Sequence, residues 1–492
     1  MLGMSFSKDK SSRSMILKNV NLIDGLNNQL KTDMTIIIES GKITKIGKTK
    51  EISIPKSAEV LELSGKTVIP GLIDSHLHLL QSGVDDFMKP YAESVMKKLK
   101  RNAYITLKSG VTTVRNMPGA PGNSVLKFRD KINKEQILGP RIVNSGPALT
   151  IPYGYFSLRS YIPFNKIVRF VFSYIFKVRG LSIDIESEKD VEDAVKKAIN
   201  NGADFIKTIT PGTPFAIGGD CEKLKEELLE KGVKLEFIEA KMKSEILEAI
   251  VKEAHSQGLK VVTHTICGPD GFKKAVKIGV DSIEHTPFGL IDDETFDMMK
   301  SRNIYWVPTA YPFFHWKNLI DNEKVYDTPK MKELIPEPFH SLGKKSLKQV
   351  RDGIKKGDNP IWTRFYKQME PFQKEYFPTN FKRAIEKGIK IVAGVDAGAS
   401  GAGYVPHGQL YHELELFVKN GMSEFEAIQT ATKNASELLG MENEVGTIEV
   451  GKYGDFVILD KSPLDNISNL KSIYLVIKDG EVVFDNNKNI SK

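Results

Sequence analysis

Cysteine is nearly absent from this chain, with two in 492 residues, Cys221 and Cys267. Two thiols cannot build a disulfide framework, which excludes the small bridge-stapled secreted folds and makes a cytoplasmic location the expectation. Neither lies in a Cys-X-X-Cys pair, so a thiolate zinc cage is excluded as well. Long apolar runs are also missing. The segment from Met1 to Met15 is polar and basic, without the apolar stretch and small-residue cleavage site of a secretory signal. The most apolar window, 161–178, carries Lys166, Arg169 and Lys177. It is short of the ~20 residues a membrane span needs, so a packed helix, a lid or an oligomer contact is expected there. Charge of one sign is concentrated nowhere: the net charge is +8 and the pI near 9.0, but 70 basic and 62 acidic residues are interspersed. Nucleic acid would demand a basic patch, so none is expected as a partner.

What is present is an ordinary globular composition, 40% hydrophobic and 27% charged. The length suits one large α/β domain of roughly 250 to 400 residues with a satellite. Residues 15–63 read as β structure, with Thr-Ile-Ile-Ile-Glu-Ser-Gly-Lys-Ile-Thr-Lys-Ile-Gly turning between Glu39 and Lys42. The far C-terminus reads the same way, from Gly446 to Asp460 and from Ile473 to Phe484, broken at Asp479-Gly480. Chain ends often lie close together, so the two β segments are expected to form one small β-sandwich domain. The expected boundaries are 1–65 and 441–492 for the two parts of the sandwich, with 66–440 between them.

The middle alternates short apolar strands with amphipathic helices. Eight candidate strands occur, at 67–79, 111–117, 140–146, 204–210, 260–265, 281–286, 304–309 and 389–396. Eight βα units predict an α/β fold of the TIM (β/α)8 barrel type, whose active site forms at the C-terminal strand ends. Those ends carry chemistry. His76 and His78, in Val-Ile-Pro-Gly-Leu-Ile-Asp-Ser-His-Leu-His-Leu, are two residues apart and so face one side of a strand, a spacing that suits one metal ion. Lys207, His264, His285 and Asp396 fall at the ends of four further strands. Each alone is ordinary, since a lone strand-end histidine is more often structural, a lone aspartate often caps a helix and a lone lysine often snorkels. A barrel would bring them around one cavity. The insertion 310–379 is dense in Tyr, Phe, Trp, Pro and Lys, and its Tyr311, Phe313, Phe314 and Trp316 either line an apolar pocket or form a small core of their own.

The whole pattern resembles the amidohydrolase superfamily, in particular its binuclear-metal branch of prolidase-like dipeptidases and imidazolonepropionase-related enzymes. The resemblance runs through Gly-Val-Thr-Thr-Val-Arg-Asn (110–116), Asp-Ser-Ile-Glu-His (281–285) and His-Gly-Gln-Leu-Tyr-His-Glu-Leu (407–414). It continues in Ala-Thr-Lys-Asn-Ala-Ser-Glu-Leu-Leu-Gly (431–440), Gly-Thr-Ile-Glu-Val-Gly-Lys-Tyr-Gly-Asp-Phe-Val-Ile-Leu-Asp (446–460) and Ile-Lys-Asp-Gly (477–480). It implies a distorted barrel holding two divalent metal ions, with zinc the expected metal. By that resemblance His76 and His78 hold the more buried ion and His264 and His285 the more exposed one. Asp396 sits by the buried ion, and Lys207, carboxylated by CO2, bridges the pair. A bare ammonium would repel two cations, whereas a carbamate supplies an anionic oxygen.

The implied reaction is hydrolysis of an amide C–N bond by a metal-bridging hydroxide, with Asp396 as general base and then acid. The implied substrate is a small-molecule amide or dipeptide, dipeptide-like or N-acyl amino acid. Cyclic amides of the imidazolonepropionase or hydantoin kind and xenobiotic amides or carbamates are alternatives, and a catalytically silent scaffold is a remote one. The resemblance also implies a homo-oligomer. Prolidase-like relatives carry a Gly-Gly-His-Gly run after strand 3, where this chain reads Gly-Pro-Ala-Leu-Thr-Ile-Pro-Tyr-Gly-Tyr-Phe (146–156). Tyr153 or Tyr155 could supply a phenolic donor in place of that histidine. His407, at the entry to a helix, is either a substrate contact or an ordinary helix-entry residue.

Overall fold

The computed structural model describes residues 14–55, 58–81, 94–119, 123–154, 157, 181–210, 242–265, 268–357, 360–398 and 405–487. Cys221, Cys267, Tyr155 and the window 161–178 lie outside them.

The chain opens with β1 (Ser14–Leu22), β2 (Lys31–Glu39), β3 (Lys42–Lys48), β4 (Glu59–Glu62) and β5 (Thr67–Pro70). β2 and β3 meet in a two-residue turn at which Ser40 and Gly41 both have positive φ, +50° and +79°. That geometry matches the right-handed strand twist and explains the glycine. β6 (Leu72–Leu77) follows after Gly71 and is buried at every position, as expected of a strand covered on both faces.

β6, β7 (Val111–Asn116) and β8 (Arg141–Asn144) form one parallel sheet. β9 (Ala148–Thr150), β10 (Ser182–Asp184), β11 (Ile206–Ile209), β12 (Val261–His264), β13 (Ser282–Glu284) and β14 (Tyr305–Val307) form another, ordered β10-β9-β11-β12-β13-β14. Helices alternate with them. Val95–Lys108 shows why: Ser94 caps its N-terminus by accepting from the Lys97 amide, and Leu99, Ala103 and Leu107 recur every fourth residue on its buried face. Each of its two buried leucines contributes on the order of 1.5–3 kcal/mol.

The arrangement is TIM-barrel-like, but the strands do not make one closed sheet. Segment 389–396, the eighth candidate strand, is held by isolated bridges and single hydrogen bonds. Trp306 N donates to Lys390 O at 3.0 Å on one side, and Ser75 N donates to Ala393 O at 3.1 Å on the other. Asp204 N donates to Asn144 O at 2.7 Å, linking the two sheets. The irregularity has a physical cause. A Cβ at Gly394 would lie 2.7 Å from His76 Cβ, so the segment approaches β6 too closely for a regular ladder, and Asp396 turns the backbone away at φ +51°.

β15 (Phe456–Leu459), β16 (Ile473–Lys478) and β17 (Glu481–Asp485) return to the opening strands. β15 pairs antiparallel with β5, so both chain ends enter one eight-stranded sheet with the path β17-β16-β15-β5-β1-β2-β3 and β4 beside β1. The expected sandwich is thus one hydrogen-bonded sheet, with its own core of Leu17, Ile36, Val68, Phe456 and Ile477. The insertion is helical. Its Phe313 and Trp316 are buried in the main core, where Phe288, just beyond β13, packs on Phe313 with ring centroids 5.6 Å apart. No helix among the described residues is long and apolar enough to cross a membrane.

Candidate metal centre

The C-terminal end of β6 carries His76 within the strand and His78 just after it. Asp396 reaches the same point from the bridged segment beside β6. Its Oδ1 lies 3.5 Å from His76 Nε2 and 3.2 Å from His78 Nε2, and these three side chains form a group able to hold a metal ion. His285, immediately after β13, brings its ring to 4.9 Å from that of His76, and His264, the last residue of β12, lies 4.2 Å from His285. Lys207, on β11 beside β12, acts electrostatically on His76, His264 and His285.

Which ring nitrogen carries the proton follows from the partners. His76 Nδ1 lies 2.5 Å from Glu284 Oε2, and a carboxylate only accepts. His78 Nδ1 meets the Pro118 carbonyl, which also only accepts. The Thr309 hydroxyl donates its single proton to Pro308 O at 2.9 Å, so His285 Nδ1, 2.6 Å away, is the donor between them. In all three the proton sits on Nδ1, which turns the Nε2 lone pair of His76 toward Asp396 and leaves that of His285 without a partner among the described residues. Burial holds the His76, His264 and His285 pKa values well below the ordinary imidazole range, with Lys207 among the lesser causes, so these rings are neutral. Neutral imidazole with a fixed Nδ1 proton is the form that ligates metals.

Three buried atoms of this cluster have no hydrogen-bond partner among the described residues: Lys207 Nζ, His285 Nε2 and Asp396 Oδ1. Burial lowers the Lys207 amine to about 8, bringing its neutral, nucleophilic form within reach of physiological pH. Backbone strain gathers here too. His285 (φ +71°), Thr309 (φ +44°) and Asp396 (φ +51°) all occupy the left-handed region, which is uncommon for non-glycine residues and least so for Asn and Asp. Orphaned buried donors and acceptors beside neutral imidazoles and a carboxylate are the donor set of a divalent cation site, and the residues fit one.

Five residues essential to this geometry escaped the sequence reading: Arg115, Glu284, Thr309, Asp74 and Glu413. Arg115 Nη2 donates to Glu284 Oε1 at 2.8 Å, fixing the carboxylate that orients His76. Asp74 Oδ1 accepts from the amides of His76 and Val395 at 3.2 Å each, and burial pushes its pKa up to about 7. Glu413 accepts from Ala310 N at 2.7 Å and Tyr311 N at 2.6 Å, capping the helix that follows Thr309; burial raises it to about 8. The usable signal was alternation in Asp-Ser-Ile-Glu-His, which puts Ser282 and Glu284 on one face of β13. Of the three substrate candidates, His407 and Tyr153 are among the described residues and Tyr155 is not. His407 is buried and donates from Nε2 to Gln81 O at 2.9 Å, behind the segment that follows His78, and burial lowers its pKa to about 4. Tyr153 lies half-buried in a turn after β9, with φ +62°.

A fold of TIM-barrel type with histidines, a lysine and an aspartate at its strand ends defines a class of metal-dependent hydrolases. The model of the amidohydrolase family matches residues 67–483, and the chain belongs to that family. It is 22% identical over 493 residues to the imidazolonepropionase of Clostridium tetani, covering 95% of this chain and 93% of that protein. Among solved structures, a Xaa-Pro dipeptidase with methionine bound in its active site superposes with a TM-score of 0.70 at 27% identity, covering 96% of this chain and all of that one. A prolidase complexed with N-methylphosphonate-L-proline, at 20% identity, superposes with a TM-score of 0.70 over 96% of this chain and 100% of its own, a likeness of fold. The chain is accordingly a hydrolase acting on amide C–N bonds, in a family that takes small-molecule substrates and generally uses a divalent metal centre.

Proposed function

We propose that this hydrolase cleaves the amide bond of a dipeptide-like or N-acyl amino acid substrate at a centre of two divalent ions, with zinc as the metal. His76, His78, Lys207, His264, His285 and Asp396 would hold the ions, and Lys207 would do so as its carbamate. The observation that carries this reading is the approach of Asp396 Oδ1 to within 3.5 Å of the His76 and His78 Nε2 atoms, in a cluster where the buried Lys207 Nζ and His285 Nε2 have no hydrogen-bond partner among the described residues. When bound, the ions supply Lewis acidity and make water a nucleophile near neutral pH. The Asp396 carboxylate takes the proton of the attacking water and delivers it to the leaving nitrogen, which departs poorly as an unprotonated amide anion. Burial of the three neutral imidazoles keeps competing protons off the ligand atoms.

The likeness to the Xaa-Pro dipeptidase over nearly the whole chain supports the linear substrate. The imidazolonepropionase likeness, equally extensive, favours a cyclic amide as the second reading. A panel of Xaa-Pro, Xaa-Arg/Lys and N-acyl amino acids set beside cyclic amides separates them. Release of free amino acid from one linear subset is the expected result, and ring opening without linear hydrolysis would replace it. Asp396→Asn tests the proton role: metal content largely kept with turnover lost supports it, and unchanged turnover rejects it.

A further inference from the structure

The imidazoles of the centre are not backed alike. His78 Nδ1 faces a backbone carbonyl and His285 Nδ1 a hydroxyl, but His76 Nδ1 faces the carboxylate of Glu284 at 2.5 Å. Glu284 is 0% exposed, deep in the barrel. Its other oxygen accepts from Arg115 Nη2 and from Ser282 Oγ, both at 2.8 Å. Arg115 also donates from Nε to the carbonyl of Ser75 at 2.6 Å, beside His76 in the chain, and from Nη1 to Ser282 Oγ at 3.1 Å. A carboxylate, paired on its far side with the Arg115 guanidinium, is therefore fixed behind one imidazole by groups on three strands.

A carboxylate accepting from Nδ1–H pushes electron density toward Nε2 more strongly than a neutral acceptor does and makes the ring a better ligand. The pair is also an expensive way to fill a barrel, because an ion pair at this depth adds little net stability over apolar side chains of the same volume. We propose that the Glu284–Arg115 pair makes the His76–His78–Asp396 side of the centre the tighter of two divalent-cation positions. The His285 side, backed by Thr309, is then the weaker and more exchangeable one. This rests on the metal-centre reading above. Glu284 is a positioning residue in this scheme, touching neither substrate nor ion and acting through His76.

The test is titration of metal-free protein with Zn2+ against a chromophoric chelator, without substrate, so that affinity and not turnover is read. Wild-type protein should show two classes of site. Glu284→Gln keeps the shape and an acceptor oxygen but removes the charge, and should weaken the tight class by about 10–100-fold while leaving the weak class in place. Thr309→Val should do the converse. A merely structural role for Glu284 predicts a lower melting temperature with the two affinities unchanged or shifted equally, and either pattern overturns the proposal. Should Glu284→Gln fail to fold, Ser282→Ala carries the test: it strips one hydrogen bond from Oε1, so a smaller weakening confined to the tight class is expected, and unchanged affinities overturn it. If wild-type protein takes up no divalent ion even with bicarbonate, the metal-centre reading itself falls and this inference with it.

Discussion

The two ends of the barrel strands both carry charged side chains, yet they treat their polar atoms in opposite ways. At the N-terminal end Arg141, opening β8, donates to Asp455 at 2.8 Å and to Asp479 at 2.6 Å and lies over the Tyr453 ring. Lys260, just before β12, donates to the last carbonyls of the helix Lys433–Leu439, Glu437 O at 3.2 Å and Leu438 O at 2.5 Å. At the C-terminal end Lys207 Nζ, His285 Nε2 and Asp396 Oδ1 have no hydrogen-bond partner among the described residues. An unsatisfied buried polar atom costs roughly 1–3 kcal/mol, so the upper end is held in place at the expense of stability while the lower end supplies it. The contrast separates the part that performs chemistry from the part that fastens the barrel to the eight-stranded sheet.

Substitutions at the two ends should therefore differ in kind. The largest effect is expected from Asp396→Asn, which should lower kcat on the order of 10²–10⁴-fold while metal content, measured by elemental analysis, stays near wild type. Arg141→Ala at the other end leaves the buried Asp455 without its cation, while Asp479 keeps Lys478 at 2.5 Å. The Arg141 side chain is 15% exposed, and its loss should cost about 3–5 kcal/mol in denaturant unfolding with little change in metal affinity. Lys207→Met should do the reverse, stabilising the metal-free protein by about 1–3 kcal/mol and abolishing activity.

The same lysine gives a pH signature. Its folded pKa is about 8 against 10.5 unfolded, so between those values the unfolded chain holds more proton. Stability of the metal-free protein should accordingly gain a rising component from pH 8 to 10.5 that disappears in Lys207→Met, as read from paired melting curves. The smallest effect lies on the acid side. Burial lowers His315 and His407 to about 4, so as pH falls from about 6.5 toward 4 the unfolded chain takes up protons that the folded one refuses, and stability is lost. His315→Gln should flatten that fall, and an unchanged acid limb would count against a buried neutral His315.

Much of the upper end was legible because its chemistry is written in local spacing. His76 and His78 announce themselves by period two after an apolar strand, and the remaining ligand candidates stand at the ends of apolar runs. What supports them was not legible. Arg115 and Glu284 meet across 169 residues, and Glu413 caps a helix 102 residues upstream through the Tyr311 amide, distances at which periodicity carries no information. The aromatic insertion left two readings open because Phe313 and Trp316 look alike in sequence whether they line a pocket or fill a core; their partners Phe288 and Phe365 show the core. The eighth strand matched the apolar pattern, but its close approach at Gly394 and the left-handed Asp396 break the ladder. The same residues that distort the strand bring the carboxylate to the centre.

The most direct measurement is the metal stoichiometry of protein purified without chelator and, in parallel, of stripped protein reloaded with Zn2+ and bicarbonate. About two ions per chain, with a mass gain of one CO2 on Lys207, is the result this account predicts. Protein that binds no divalent ion under either condition would contradict it.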